Sequence, residues 1–481
     1  MQESSVETPA APPLTGSKSA VLHRQLRSDF PSIHHGEGSY LVLGDGRRIL
    51  DASGGAAVAC LGHSDRRVVD AAMAQMLAAP YCATIFYTSE VCEKLCRYLV
   101  DSTDGHMARA YIVSSGSEAI EAAVKLARQY FLEKDQPEPR RTRFIARNQS
   151  YHGITLGALA VGGHKLRRQL FEPMMPTNVS HVSPCFAYRG KQRRESGDTV
   201  VVESDEAYVA RLAAELDAEF QRLGPDTVCA FVAEPIVGAA LGAAPSVPGY
   251  FKAVQAVCKK YGALLIFDEV MCGMGRTGTL HAWQQEGVAP DIQTIGKCLG
   301  GGYQPIAGVL ASHGVIDAIS RGTGAFVHGH TYQGHPVACA AALAVQQIVA
   351  EEHLLANVRS LAPVLSSLLV QKLGAHPNVG DIRGRGFFWG IELVQHKASA
   401  QPFPAAEHVS MEIAELGITQ PYSVAVYPGS GTVNGTAGDH IILSPPYNTT
   451  RDEIHIIVDR VTRLINDYFS DKKDSLMVAR L

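Results

Sequence analysis

Residues 263–278 read ALLIFDEVMCGMGRTG, and residues 294–302 read TIGKCLGGG. The run 263–267 has no polar break, so it predicts a strand buried on both faces. Asp268 closes that run at its C-terminal end, where open α/β sheets place their ligand sites. Lys297 lies between Gly296 and Gly300-Gly301-Gly302, a composition that predicts a tight turn. The pair supplies two chemical functions. A buried carboxylate stabilises a neighbouring positive charge, and a lysine amine in a turn can condense with an aldehyde.

Working outward, the same alternation of strand and helix recurs. Residues 229–233 predict a buried strand. Phe251, Val254, Val257, Cys258 and Tyr261 mark one face of a helix that Gly262 stops. Upstream, residues 110–113 predict a short strand, followed by Ser114-Ser115-Gly116-Ser117. A helix then follows with Ile120, Ala123, Val124 and Ala127 on one face, Glu118 and Glu121 in its first turn and Ser117 as N-cap. Strand, helix, strand at this spacing predicts a mainly parallel α/β sheet. The charged stretches 133–141 and 189–205 read as surface loops. After a long helix near 336–352, strand-like runs at 387–393 and 440–443 among helical segments predict a second, smaller α+β domain.

The chain has 481 residues, 46% apolar and 19% charged, with a net charge of −4. That length predicts two or three domains. The charge gives no basic field for nucleic acid, and no uninterrupted apolar run of 18 residues predicts a membrane span. The first 20 residues are polar and are expected to be a disordered lead-in without a secretory signal. Ten cysteines show no CxxC spacing, so neither a metal site nor a disulfide framework is expected. The chain closes on Ala479-Arg480-Leu481, a variant of the Ser-Lys-Leu peroxisomal address, so the expected location is cytoplasmic or peroxisomal.

Lys297 and Asp268 together match what pyridoxal 5′-phosphate requires: an imine-forming amine, and a carboxylate that keeps the pyridine nitrogen protonated. Its phosphate needs a second site. Ser115, Gly116 and Ser117 stand before a helix start, where free N–H groups attract an anion. Taken alone, a Ser-Gly-Ser at that place is more often a plain helix cap. Tyr151-His152-Gly153 follows the predicted strand 143–146, and a planar ring there can stack on the cofactor.

Around these residues the sequence resembles a class III (ω-type) pyridoxal-phosphate-dependent aminotransferase of fold type I. The resemblance runs from about residue 41 to 464. It rests on SSGSEAIEAAVKLAR (114–128), YHG (151–153), AEP (233–235), FDEVMCGMGRTG (267–278), GKCLGGGYQPIAGV (296–309), HGHTYQGHPVACAAA (328–342) and RGRGFFWGIEL (383–393). It implies a large domain at 71–345 with a mainly parallel seven-stranded sheet flanked by helices. The small domain comes from both termini, 21–70 and 346–481. Lys297 is then the Schiff-base lysine and proton shuttle, and Asp268 the pyridinium partner. Val270 and Tyr151 lie on opposite faces of the ring, with His152 and Glu234 in the site. Ser115, Gly116 and Ser117 hold the phosphate. Thr331, beside His330, reaches the phosphate of the neighbouring subunit in a homodimer, and Arg276 braces its loop.

One departure bears on substrates, which are expected to be small amines and oxo compounds. Many relatives carry an arginine in a late loop that binds a substrate carboxylate. Here that stretch reads SVAVYPGSGTVNG (423–435), and no arginine occurs between Arg385 and Arg451. Glu234 thus lacks its usual partner, Tyr427 offers only a hydroxyl, and Ala57 stands near where narrow-pocket relatives place a tryptophan. The expectation is a bulky or non-carboxylate substrate rather than an α-keto acid bound through that loop. Decarboxylases, racemases and aminomutases of the same fold share nearly all these residues, and a non-catalytic homologue is the rival of another class.

Overall fold

The computed structural model describes residues 19–196 and 199–478. Most of the expected N-terminal lead-in and the final Ala479-Arg480-Leu481 lie outside the described residues.

The large domain is built on seven strands: β1 (Met107–Val113), β2 (Arg143–Arg147), β3 (Val179–Val182), β4 (Val228–Ala233), β5 (Leu264–Asp268), β6 (Ile292–Ile295) and β7 (Ala307–Ser312). Their order is β1-β7-β6-β5-β4-β2-β3. β7 is antiparallel to both neighbours, and the other pairings are parallel. Every residue of β4, β5 and β6 is buried, as a strand covered on both faces must be. Helix α1 (Gly116–Glu133) covers one face with Ile120, Ala123 and Ala127. Helices α2 (Asp205–Leu223) and α3 (Tyr250–Lys260) cover the other with Leu212, Leu216, Phe220, Phe251 and Val254.

Both ends of the chain build the smaller part. Strands Ile33–Glu37, Tyr40–Leu43 and Arg48–Asp51 form a sheet whose fourth member, Val424–Ala425, pairs in parallel with Arg48–Asp51. A second antiparallel sheet runs Val379–Arg385, Phe388–Leu393, Asp439–Leu443, Tyr427–Ser430. Helices α4 (Pro336–Glu351) and α5 (Leu354–Leu373) join the two parts. α5 is long and apolar enough to cross a membrane by length and composition alone. Its buried residues Leu354, Val358, Leu361, Leu365, Leu369 and Leu373 form a single stripe in the core, the pattern of a helix packed on one face.

Three expectations need correction. Ser115, not Ser117, caps α1, and of the two expected glutamates only Glu118 lies in its first turn. The stretch 189–205 is not all loop: Arg193–Ser196 and Thr199–Val202 pair as an antiparallel ribbon, which the β-branched run Thr199-Val200-Val201-Val202 favours. The expected division at 345/346 falls inside α4, one continuous helix to Glu351.

Candidate active site

The sequence-nominated residues converge because they follow the C-terminal ends of parallel strands. Tyr151 and His152 follow β2, Glu234 follows β4, Asp268 ends β5, and Lys297 comes two residues after β6. Gly116 and Ser117 open α1 behind β1. Lys297, Asp268, Glu234, Val270, Tyr151, His152, Gly116 and Ser117 all line one chamber of about 180 Å³, with Gly153, Ala239 and Met271.

The Asp268 carboxylate is buried and held from three sides. Oδ2 lies 2.8 Å from Nδ1 of His152, so the ring carries its proton on that nitrogen. Oδ1 accepts from the Val270 amide at 3.0 Å and the Thr294 hydroxyl at 3.2 Å. This fixes the carboxylate in one orientation before any ligand arrives. Among the described residues, His152 Nε2 is buried without a partner.

Lys297 adopts φ +43°, a left-handed conformation that costs a non-glycine residue on the order of 1 kcal/mol or more. The turn at Gly300–Gly302 that follows has positive φ at Gly301 and Gly302. Burial pushes the lysine amine below its usual pKa, while Asp268 and Glu234 pull the other way. A lowered amine pKa enlarges the neutral fraction, the form that attacks a carbonyl. Glu234 accepts from the Tyr151 amide at 3.0 Å and the Gly238 amide at 2.9 Å. Burial raises its carboxyl pKa, the His152 ring lowers it and Asp268 raises it further. Two backbone donors thus replace the arginine that the sequence lacks.

The start of α1 forms the anion-binding end. A Cβ added at Gly116 would lie 2.8 Å from Val270 Cγ1. Gly153, at φ +140°, would put one 2.6 Å from the Ser117 hydroxyl, which already accepts from the Ile154 amide at 2.9 Å. Ser115 is committed elsewhere: its hydroxyl accepts from the Glu118 amide and Glu118 reaches back to the Ser115 amide, a capping box. Its side chain does not line the chamber. Thr331 also stays outside it within one chain. It is exposed on a loop that lines a separate cavity with Tyr81, Ile85 and Phe326. Arg276 is fully buried, donates to the Phe387 and Pro445 carbonyls and lies over the Tyr447 ring, the bracing role expected of it.

These residues fit pyridoxal 5′-phosphate. The paired Asp268 carboxylate suits a ring nitrogen, the buried Lys297 amine suits the aldehyde, and the glycine-lined helix start suits the phosphate. Among the described residues no group of three or more His, Cys, Asp or Glu is placed to hold a metal, and all ten cysteines are free.

Sequence reasoning missed Thr294, Ala239, Met271 and above all Arg167. The Arg167 guanidinium lies 4.5 Å from the centroid of the Tyr151 ring. The basic run Lys165-Leu166-Arg167-Arg168 was visible, but nothing local says that it folds back onto the site. Tyr427 and Ala57 do pack together with Ala239 and Met271, next to the chamber as expected.

The family model for class-III aminotransferases matches residues 24–465. An aminotransferase of Gibberella zeae is 47% identical over 94% of this chain and 87% of its own length. An uncharacterized aminotransferase of Schizosaccharomyces pombe is 48% identical over 90% of this chain and 92% of its own. The solved (S)-enantioselective omega-transaminase of Thermomicrobium roseum superposes with a TM-score of 0.84 at 32% identity, covering 94% of this chain and 97% of that one.

Proposed function

The chain belongs to the class-III aminotransferase family and is a pyridoxal-phosphate-dependent transaminase; from that premise we propose that it takes its amino group from a bulky or non-carboxylate amine and that it works as a homodimer. When bound, the cofactor supplies an electron sink for the carbon that loses its proton. The chain's own residues do the rest. Asp268, fixed by His152, Val270 and Thr294, holds positive charge on the ring nitrogen. Lys297 would hold the cofactor aldehyde through its buried amine, and the same Nζ would act as general base and acid for the proton transfer. Gly116, Ser117 and Gly153 would hold the phosphate end, and Tyr151 and Val270 would border the ring.

One observation carries the reading: a buried lysine with a lowered amine pKa shares a chamber with a fully positioned carboxylate. The decisive experiment mixes holoenzyme with an amine donor and no acceptor. Stoichiometric conversion of the cofactor to its amine form is expected. Carbon dioxide release or racemisation without that conversion would move the protein to a decarboxylase or racemase.

The donor reading is supported by the small residues Ala57 and Ala239 beside Tyr427 and by the Glu234 carboxyl, held by two backbone amides where carboxylate-binding relatives have an arginine. Support for the homodimer comes from exposed apolar side chains near Thr331. Tyr81, Ile85, Phe86, Tyr87, Val327 and Tyr332 are all exposed, and Tyr81 packs edge-on to Tyr332. Such patches mark protein–protein contacts.

A further inference from the structure

An oxo-acid acceptor brings a carboxylate toward a buried chamber, and that charge needs a cation. The 423–435 loop has none. Arg167 is a cation that the fold places against the chamber wall. It sits on the short helix Lys165–Arg168, half-buried, with its guanidinium over the Tyr151 ring. Tyr151 is a wall of the chamber. On the far side, Arg167 lines a second cavity of about 330 Å³ with His164, Ser430 and Asp439, and Ala239 borders both cavities.

The neighbouring arginine makes the contrast. Arg168 donates to the Ala160 and Gly162 carbonyls and lies near Glu172, so it is consumed by the fold. Arg167 has no hydrogen bond or ion pair from its side chain among the described residues. Asp439, the carboxylate in the second cavity, is held by the Ser410 amide and hydroxyl at 3.1 and 2.9 Å. His164, pushed down to about 4 by burial and by Arg167, adds no charge at neutral pH. A guanidinium stacked on an aromatic face keeps its N–H edges free, and those edges match a carboxylate in two parallel hydrogen bonds.

We propose that Arg167 is the specificity-determining residue for the acceptor, binding the carboxylate of an oxo-acid from the Tyr151 side rather than from the late loop. This rests on the transaminase reading above, and it replaces the expectation that oxo-acids are disfavoured. Arg24, an exposed residue of the N-terminal segment, is another cation whose charge reaches Tyr151, and it serves as the comparison.

The test measures kcat/KM of the holoenzyme for pyruvate and for a neutral aldehyde of similar size, in the parent, Arg167→Gln, Arg167→Lys and Arg24→Gln. Losing a charge-assisted pair should lower the acid-to-aldehyde preference about 10- to 100-fold in Arg167→Gln, mainly through KM. Arg167→Lys should recover part of it, and Arg24→Gln should leave it within threefold. A preference unchanged in both Arg167 variants, or moved as far by Arg24→Gln, overturns the assignment. Should Arg167→Gln fail to fold, the KM rise for pyruvate in Arg167→Lys decides alone. Conversion of the cofactor by an amine donor is scored separately in the parent. Its absence removes the transaminase reading itself, whereas its presence beside an unmoved preference removes only Arg167.

Discussion

At the scale of single residues, the chemistry depends on groups that other residues hold in place. Replacing Lys297 by Ala should abolish turnover while leaving the folded chain intact, because the next lysines in the sequence, Lys259 and Lys260, lie at the end of α3. Steady-state assays and far-UV circular dichroism check both halves. Replacing Asp268 by Asn keeps the shape but removes the charge opposite the ring nitrogen. Turnover should fall by about 3–4 kcal/mol, or on the order of a hundred- to a thousandfold, with the visible band of bound cofactor retained. His440 offers a different test. It is fully buried, and burial, then Arg383, pushes its pKa down to about 3. The unfolded chain takes up that proton near 6.5 and the folded chain does not. Stability from this site is therefore lost as pH falls from about 6.5 toward 3. His440→Leu should gain roughly 2 kcal/mol on the parent between pH 7 and pH 5 in urea unfolding. An unchanged difference would mean that the ring is already protonated or solvated.

At the scale of elements, the strands at the site were legible and their surroundings less so. Short apolar runs ending in a polar or small residue gave β1, β2, β4 and β5 to within a few residues; for β4 and β5 burial on both faces leaves only one pattern. Val179–Val182 and Ala307–Ser312 carry that pattern less distinctly, for they include polar or small residues that an edge or antiparallel strand tolerates. Asp268 and Lys297 were legible because both sit in short-range motifs. Arg167 and the capping role of Ser115 were not, because each depends on where a turn points its side chains. Gly153 shows how a turn controls the site. Any side chain there meets Ser117 and Ala158 within 3 Å at a φ that only glycine adopts freely. Gly153→Ala should destabilise the protein by about 1–3 kcal/mol and weaken cofactor retention on dialysis, because Ser117 must shift.

At the scale of the molecule, Thr331 is exposed and lines a cavity apart from the chamber of its own chain, near exposed aromatic side chains. If it serves the neighbouring site, two inactive chains can repair each other. Mixing Lys297→Ala with Thr331→Ala should yield heterodimers in which one site has both residues, with activity rising after subunit exchange. Activity that stays at the sum of the separate variants would leave Thr331 without a role across the interface.

The parallel pairing of Arg48–Asp51 with Val424–Ala425 also has a consequence for biosynthesis. The first strands leave the ribosome long before their partner is translated. At about 5–20 residues per second this wait is on the order of half a minute. Throughout it, the outer edge of Arg48–Asp51 stays unpaired while the large domain can already condense around its own sheet. An unpaired edge invites association with other chains. A nascent chain arrested before residue 424 should therefore bind holdase chaperones through its first fifty residues, and release them once the C-terminal strand is complete.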